Sequence, residues 1–182
     1  MYSSPNHQVV AERRLIERLN DDEDGRRPTQ AEEKAVAAAI LAYPEQQREQ
    51  MAVLDYVMAN TDRNWDNYRT GRDNDIVAID NSLSFPEVPD PHVGIRSDFV
   101  YEFRNRELSR ETLAAVHAAS PDQLRAAWTD AGLSDNAVAG ALARLNEIRT
   151  HGAITGESWP GLINPADFRG KTKAMPTGWI EY

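Results

Sequence analysis

A chain of 182 residues has room for one domain with a real core and not for two generous ones. Apolar residues at 41% and charged residues at 27% are those of an ordinary globular protein, while a net charge of −9 argues against a general nucleic-acid binder or a protein held on anionic lipid, both of which need a basic field. The lack of cysteine excludes disulfides and thiolate zinc sites, and no apolar run approaches the roughly 20 residues of a membrane span.

Met1 to His7 has neither a basic start nor an apolar core, so no signal peptide is expected and the cytoplasm is the expected location. From Gln8 to Asn20, apolar Val9, Val10, Leu15, Ile16 and Leu19 fall close to helical spacing and predict a short amphipathic helix. The charge run Asp21–Asp24 with Gly25 and Pro28 breaks it, and reads as a solvated loop rather than a cation site. Thr29-Gln30-Ala31-Glu32 is a capping box that launches an Ala-rich helix ended by Pro44. Residues 1–44 thus form an N-terminal helical segment. Pro44 then serves as the first position of a helix from Glu45 to Ala59, with Glu45 at its positive end. Met51, Leu54, Val57 and Met58 are its expected apolar stripe, read as core.

Residues 60–86 differ in character. A polar loop, Asn60 to Asn64, leads into a predicted hairpin, Tyr68 to Thr70 and Ile76 to Ile79 across the Gly71–Asp75 turn, and the second strand delivers Asp80-Asn81 into another loop. Asp62, Asn67 and Asp80 therefore stand at the edges of one small hairpin. A phosphoryl-transfer site is assembled from such parts: one carboxylate orients a hydroxyl, and an Asn and a second Asp hold Mg²⁺ over phosphates. Arg63 is either a neutraliser of nearby carboxylates or phosphate, or a surface charge. Trp65 and Tyr68 either line a pocket or pack the loop onto later helices, the second being favoured. Asp66, Asp73 and Asp75 sit in turn contexts and read as structural.

Ser84 to Phe99 is Pro-rich and irregular, with His92 a bystander. Ile95 to Phe103, carrying Phe99, Val100, Tyr101 and Phe103, reads as a buried connector. Three helices follow with clear start signals. Ser109 caps Arg110 to Ala119, with Leu113 and Val116 inward; Ser120-Pro121-Asp122-Gln123 opens a second, with Leu124, Ala127 and Trp128 as its apolar face and Gly132 as its stop; Ser134 caps a third to about Thr150, with Val138, Leu142, Leu145 and Ile148 inward. His117 and His151 have no metal-spaced partner. Gly152 to Tyr182 is expected to lie extended on the domain, anchored by aromatics such as Trp159, with Lys171 and Lys173 in solvent.

Asp62-Arg63-x-x-x-Asn67 followed by Ile79-Asp80-Asn81-x-Leu83-x-Phe85-Pro86 resembles the catalytic and metal-binding loops of the phosphatidylinositol 3-/4-kinase-like superfamily. The nearest look is to type II phosphatidylinositol 4-kinases and their bacterial relatives, with HipA-type toxin kinases further off. The likeness covers about 33 of the 182 residues. It implies a mainly α fold, the helical C-lobe of a kinase over residues 45–182 with the catalytic hairpin at 60–86. It also implies ATP and Mg²⁺ as cofactors, Asp62 as the catalytic aspartate with Arg63 beside it, and Asn67 and Asp80 as the metal and nucleotide ligands. The Pro-rich stretch would be the region that recognises substrate. Ser82 stands where the family has Gly, which restricts the backbone beside the metal site. The three lysines, Lys34, Lys171 and Lys173, include none in a Val/Ile-rich strand upstream, and no Gly-rich segment precedes the loop. An ATP-covering N-lobe is therefore expected from a separate chain or partner protein. The acidic surface suits a protein or small-molecule acceptor better than a lipid. The alternative is an inactive pseudokinase or interaction module; a metal-dependent phosphohydrolase would need further His or carboxylate ligands.

Overall fold

A computed structural model describes residue 31 and residues 38–63, 67–88, 94–159, 161 and 163. The expected helix over 8–20, the charge run, Thr29, Glu32, Lys34, Trp65, Asp66, His92, Lys171 and Lys173 lie outside these residues. Within them the chain is mainly α with one small two-stranded antiparallel sheet.

Helix α1 spans Glu45–Met58, directly after Pro44 and with acidic Glu45 in its first turn. It stops because Ala59 turns left-handed (φ 51°), its amide closing onto the carbonyls of Asp55 and Tyr56. Met51, Val57 and Met58 of the expected apolar stripe are buried, and Leu54 is not. Leu54 is 41% exposed, and the core side also takes in Ala52, Asp55 and Tyr56, with Ala59 beyond, so that Met51, Ala52, Asp55, Tyr56 and Ala59 alternate steps of one and three. A carboxylate thus lies on the buried side of the helix.

Strands β1 (Tyr68–Thr70) and β2 (Ile76–Ala78) pair with Tyr68 opposite Ala78 and Thr70 opposite Ile76. The ladder ends one residue earlier than expected, at Ala78, and the amide of Ile79 turns to the carbonyl of Asn67 (3.0 Å). Gly71 closes the turn onto Asp75 (2.8 Å), and a Cβ there would lie 1.9 Å from Asp75 Oδ1. A sheet this small is marginal alone and is held from outside. Gln47 of α1 accepts the Ile76 amide (2.9 Å), and the Tyr68 ring packs edge-on against Phe99 (5.3 Å) and Tyr43 (6.2 Å).

The stretch read as a connector holds a short helix, α2 (Asp98–Phe103). Ser97 caps it through the Val100 amide (3.3 Å), and Phe99, Val100 and Phe103 press it against α1. Helices α3 (Arg110–Ala118), α4 (Pro121–Asp130) and α5 (Asp135–His151) start at Ser109, Ser120 and Ser134, each accepting an amide three residues on. Helix α5 ends at left-handed Gly152. Val138, Ala141, Leu145 and Ile148 bury its inner side, and the last three belong to the same core cluster as Tyr56, Val100, Phe103 and Ile154. Helix α4 buries no residue fully; Leu124 and Trp128 lean on the core, and Trp128 meets Phe85 edge-on at 5.4 Å.

Beyond α5 the chain is fastened by one carboxylate. Glu147 accepts the amides of Thr155, Gly156 and Ser158 (2.8, 2.9 and 2.6 Å) and the Tyr56 hydroxyl (2.6 Å). Burial pushes the Glu147 carboxyl up, but these donors, Tyr56 first, outweigh it and hold it near 2. Trp159 is buried as an anchor. No helix among the described residues is long and apolar enough to cross a membrane.

Candidate functional site

The left-handed turn at Ala59 throws the chain from α1 into buried Asn60, whose Oδ1 accepts the Asp62 amide (2.8 Å). This is an Asx turn, the local device Asn favours. It fixes the backbone that carries Asp62, a half-buried residue. The loop is also tied to the stretch after Asp80: Thr61 donates to the carbonyl of Leu83 through its amide (3.1 Å) and its hydroxyl (3.0 Å).

Asn67, buried just ahead of β1, donates from Nδ2 to the Asp62 carbonyl (2.6 Å) and carboxylate (3.2 Å). Its amide nitrogen is thus committed to Asp62, and its Oδ1 is the end left to accept or ligate. Asp80 follows β2 on an exposed rim with φ 46°. Its Oδ1 accepts the Ser82 hydroxyl (2.6 Å) and amide (3.4 Å). The Ser82 hydroxyl first, then its amide, hold the Asp80 carboxyl below the usual carboxylate range. The expectation that Ser82 restricts the backbone takes a different form here. The left-handed position is Asp80, a residue type that tolerates it, and the serine hydroxyl is spent on the carboxylate.

Arg63 lies beneath this rim with its side chain wholly buried. Nε donates to both oxygens of Asp55 (3.0 and 3.3 Å), Nη1 to the carbonyls of Asn67 and Ile79, and Nη2 to Asn81 Oδ1. The carboxylate that Arg63 neutralises is therefore that of Asp55. Arg63, expected to act beside Asp62, has each of its side-chain nitrogens committed to protein acceptors. Burial pushes the Asp55 carboxyl up to about 6, against the pull of the Arg63 charge and the Ser97 hydroxyl.

Asp62 and Asn67 touch, and Asn67 reaches the Asp80 side through the Ile79 amide and through Arg63, so the three groups share one loop cluster. Tyr68 packs into the core instead of lining a pocket. Three contributors were not read from the sequence: Asp55, Ser97 and Asn81. Only Asp55 left a signal, as a carboxylate on the face of α1 that also carries Ala52 and Tyr56, a place that demands a cationic partner.

The Asp80 carboxylate and the Asn67 amide oxygen are hard donors of the type Mg²⁺ takes, with its remaining positions left to water and phosphate oxygens. No group of three or more His, Asp or Glu able to hold a metal unaided exists among the described residues. The set present fits a cation shared with a phosphorylated ligand rather than a closed metal cage. Comparison of the chain with protein-family models, with curated proteins and with solved structures found no match in any of the three.

Proposed function

We propose that the chain is the C-lobe-like half of an ATP- and Mg²⁺-dependent phosphotransferase acting on a protein or small-molecule hydroxyl. The observation that carries this reading is the Asn67 amide seated on the Asp62 carboxylate (3.2 Å), with Arg63 tying the carbonyls of Asn67 and Ile79 below it. Asp62 orients the acceptor hydroxyl and accepts its proton, and the Asn67 amide fixes the rotation of that carboxylate. Asn67 Oδ1 and the ionised Asp80 carboxylate hold the cation, which when bound supplies charge neutralisation at the transferring phosphoryl group. Arg63 touches no reacting atom and keeps these groups in register. The lysine and covering loop for the nucleotide come from a partner chain or a further segment.

Mg²⁺-dependent ATP hydrolysis or autophosphorylation that is lost in both Asp62→Ala and Asp80→Ala is the expected result. Activity that survives Asp80→Ala overturns the mechanism.

A second reading, an inactive pseudokinase or interaction module, is favoured by the lack of a lysine in a Val/Ile-rich strand, or of a Gly-rich segment, ahead of the loop in this sequence. Calorimetry separates the two: a pure scaffold binds ATP without dependence on Mg²⁺, or not at all.

A further inference from the structure

The Asp55 carboxylate stands where three stretches of backbone meet, and none of the roles above uses it. It is completely buried on α1. Its Oδ2 accepts the Ser97 hydroxyl (2.7 Å) while both oxygens take Arg63 Nε. From Arg63 the linkage runs to Asn67, Ile79 and Asn81; from Ser97 it runs into α2, whose first turn that side chain caps. Backbone bonds complete the ring, the Arg63 amide to Arg96 (2.8 Å) and the Arg96 amide to Asn60 (3.1 Å).

Loops around phosphoryl-transfer sites are often ordered by an added phosphate, which an arginine captures. An arginine held in that way must be reachable. Arg63 is not: its side chain is fully buried and its charge is already met by a fixed carboxylate.

We propose that Asp55 is a positioning residue, a built-in counter-charge that makes the Asp62 loop, the Asn67–Asp80 hairpin and the chain entering α2 order as one unit without any modification. This deepens the phosphotransferase reading and rests on it for the cation measurement below, though not for the exchange measurement. Among the described residues Arg63 is the one charged side chain acting on Asp55, so at pH 7.5 the group is ionised and paired. Asparagine fills the same volume but turns one acceptor atom into a donor facing Arg63.

The test is native-state amide exchange on the full chain at pH 7.5. In Asp55→Asn the amides of Arg63, Ile79 and Arg96 accelerate together, on the order of a hundredfold, while those of Leu145 and Ile148 in α5 keep their rates. Ser97→Ala, which keeps the ion pair, gives the same set a rise of about tenfold and serves if the first variant does not fold. Independent changes at the three amides, or an equal rise across α5, overturn the proposal. The second arm titrates Mn²⁺ in the presence of a non-hydrolysable ATP analogue, followed by electron paramagnetic resonance. Asp55→Asn weakens binding about tenfold, as a loss of register does, whereas Asp80→Asn abolishes it. Equal Mn²⁺ affinity in Asp55→Asn and the unaltered chain overturns the positioning role. An unaltered chain that binds no Mn²⁺ removes the phosphotransferase reading instead, and the exchange pattern then decides on Asp55.

Discussion

The hydroxyl of Tyr56 donates to the carboxylate of Glu147 at 2.6 Å, across 91 positions of sequence. The same carboxylate gathers the amides of Thr155, Gly156 and Ser158, so one acidic group joins α1, α5 and the chain beyond. Because its pKa is held near 2 in the fold, against 4.5 when free, the group contributes stability above pH 4.5 that is lost as pH falls toward 2. Glu147→Gln should therefore be clearly less stable than the unaltered chain at pH 7, and the gap should narrow between pH 4.5 and pH 2.5. Thermal unfolding at the three pH values reads this directly; a gap that stays constant contradicts it.

The buried side of α1 can be checked by truncation. Met51→Ala should cost about 2–4 kcal/mol, since Met51 is buried in the core, whereas Leu54→Ala on the exposed side should cost about 1 kcal/mol or less. Urea denaturation of the two variants, read as midpoint shifts with an unchanged slope, distinguishes them. Equal costs would place Leu54 on the buried side with Met51.

At the hairpin turn, Gly71→Ala should destabilise the chain by about 1–2 kcal/mol, because the new methyl meets the Asp75 carboxylate. That obstacle is the far end of a side chain, so Asp75→Ala in the same molecule should recover most of the loss. A double-mutant cycle measures the coupling, and additive costs would show that the backbone, not Asp75, is the obstacle.

On the reading proposed for the site, Ser82→Ala should raise the pH at which Mg²⁺-dependent activity is lost on acidification. Asp80 then loses the hydroxyl that most favours its ionised form. A pH profile of the two proteins tests it; coincident acid limbs would mean that Asp80 does not set that limb.

The helix starts at Ser109, Ser120 and Ser134 were legible because a cap is a local device: the serine oxygen and the amide it accepts are three residues apart. Asp62 and Asn67 lie only five residues apart, in a polar stretch that the sequence already sets off from the helix before it. Asp80 depended on the hairpin register, which the Gly71–Asp75 turn and the flanking β-formers conveyed. Helix α2 was missed because six residues give too short a period, and only the Ser97 cap marks it. Leu54 was misplaced because it keeps helical spacing with Met51 and Met58, which are buried as expected. The direction in which Arg63 points is decided by a carboxylate eight residues earlier on a buried face, and that is a tertiary fact.

Ala59, Asp80 and Phe85 all take left-handed backbone, and none is glycine. For alanine and phenylalanine that conformation costs roughly 1–2 kcal/mol per residue, an energy stored at the joints that bracket residues 60–63 and 81–84. A glycine at 59 would relax the joint and also widen the range of directions in which the loop can leave the helix. Tension at this joint is thus inseparable from aim, and a more relaxed protein would hold its acidic rim less well.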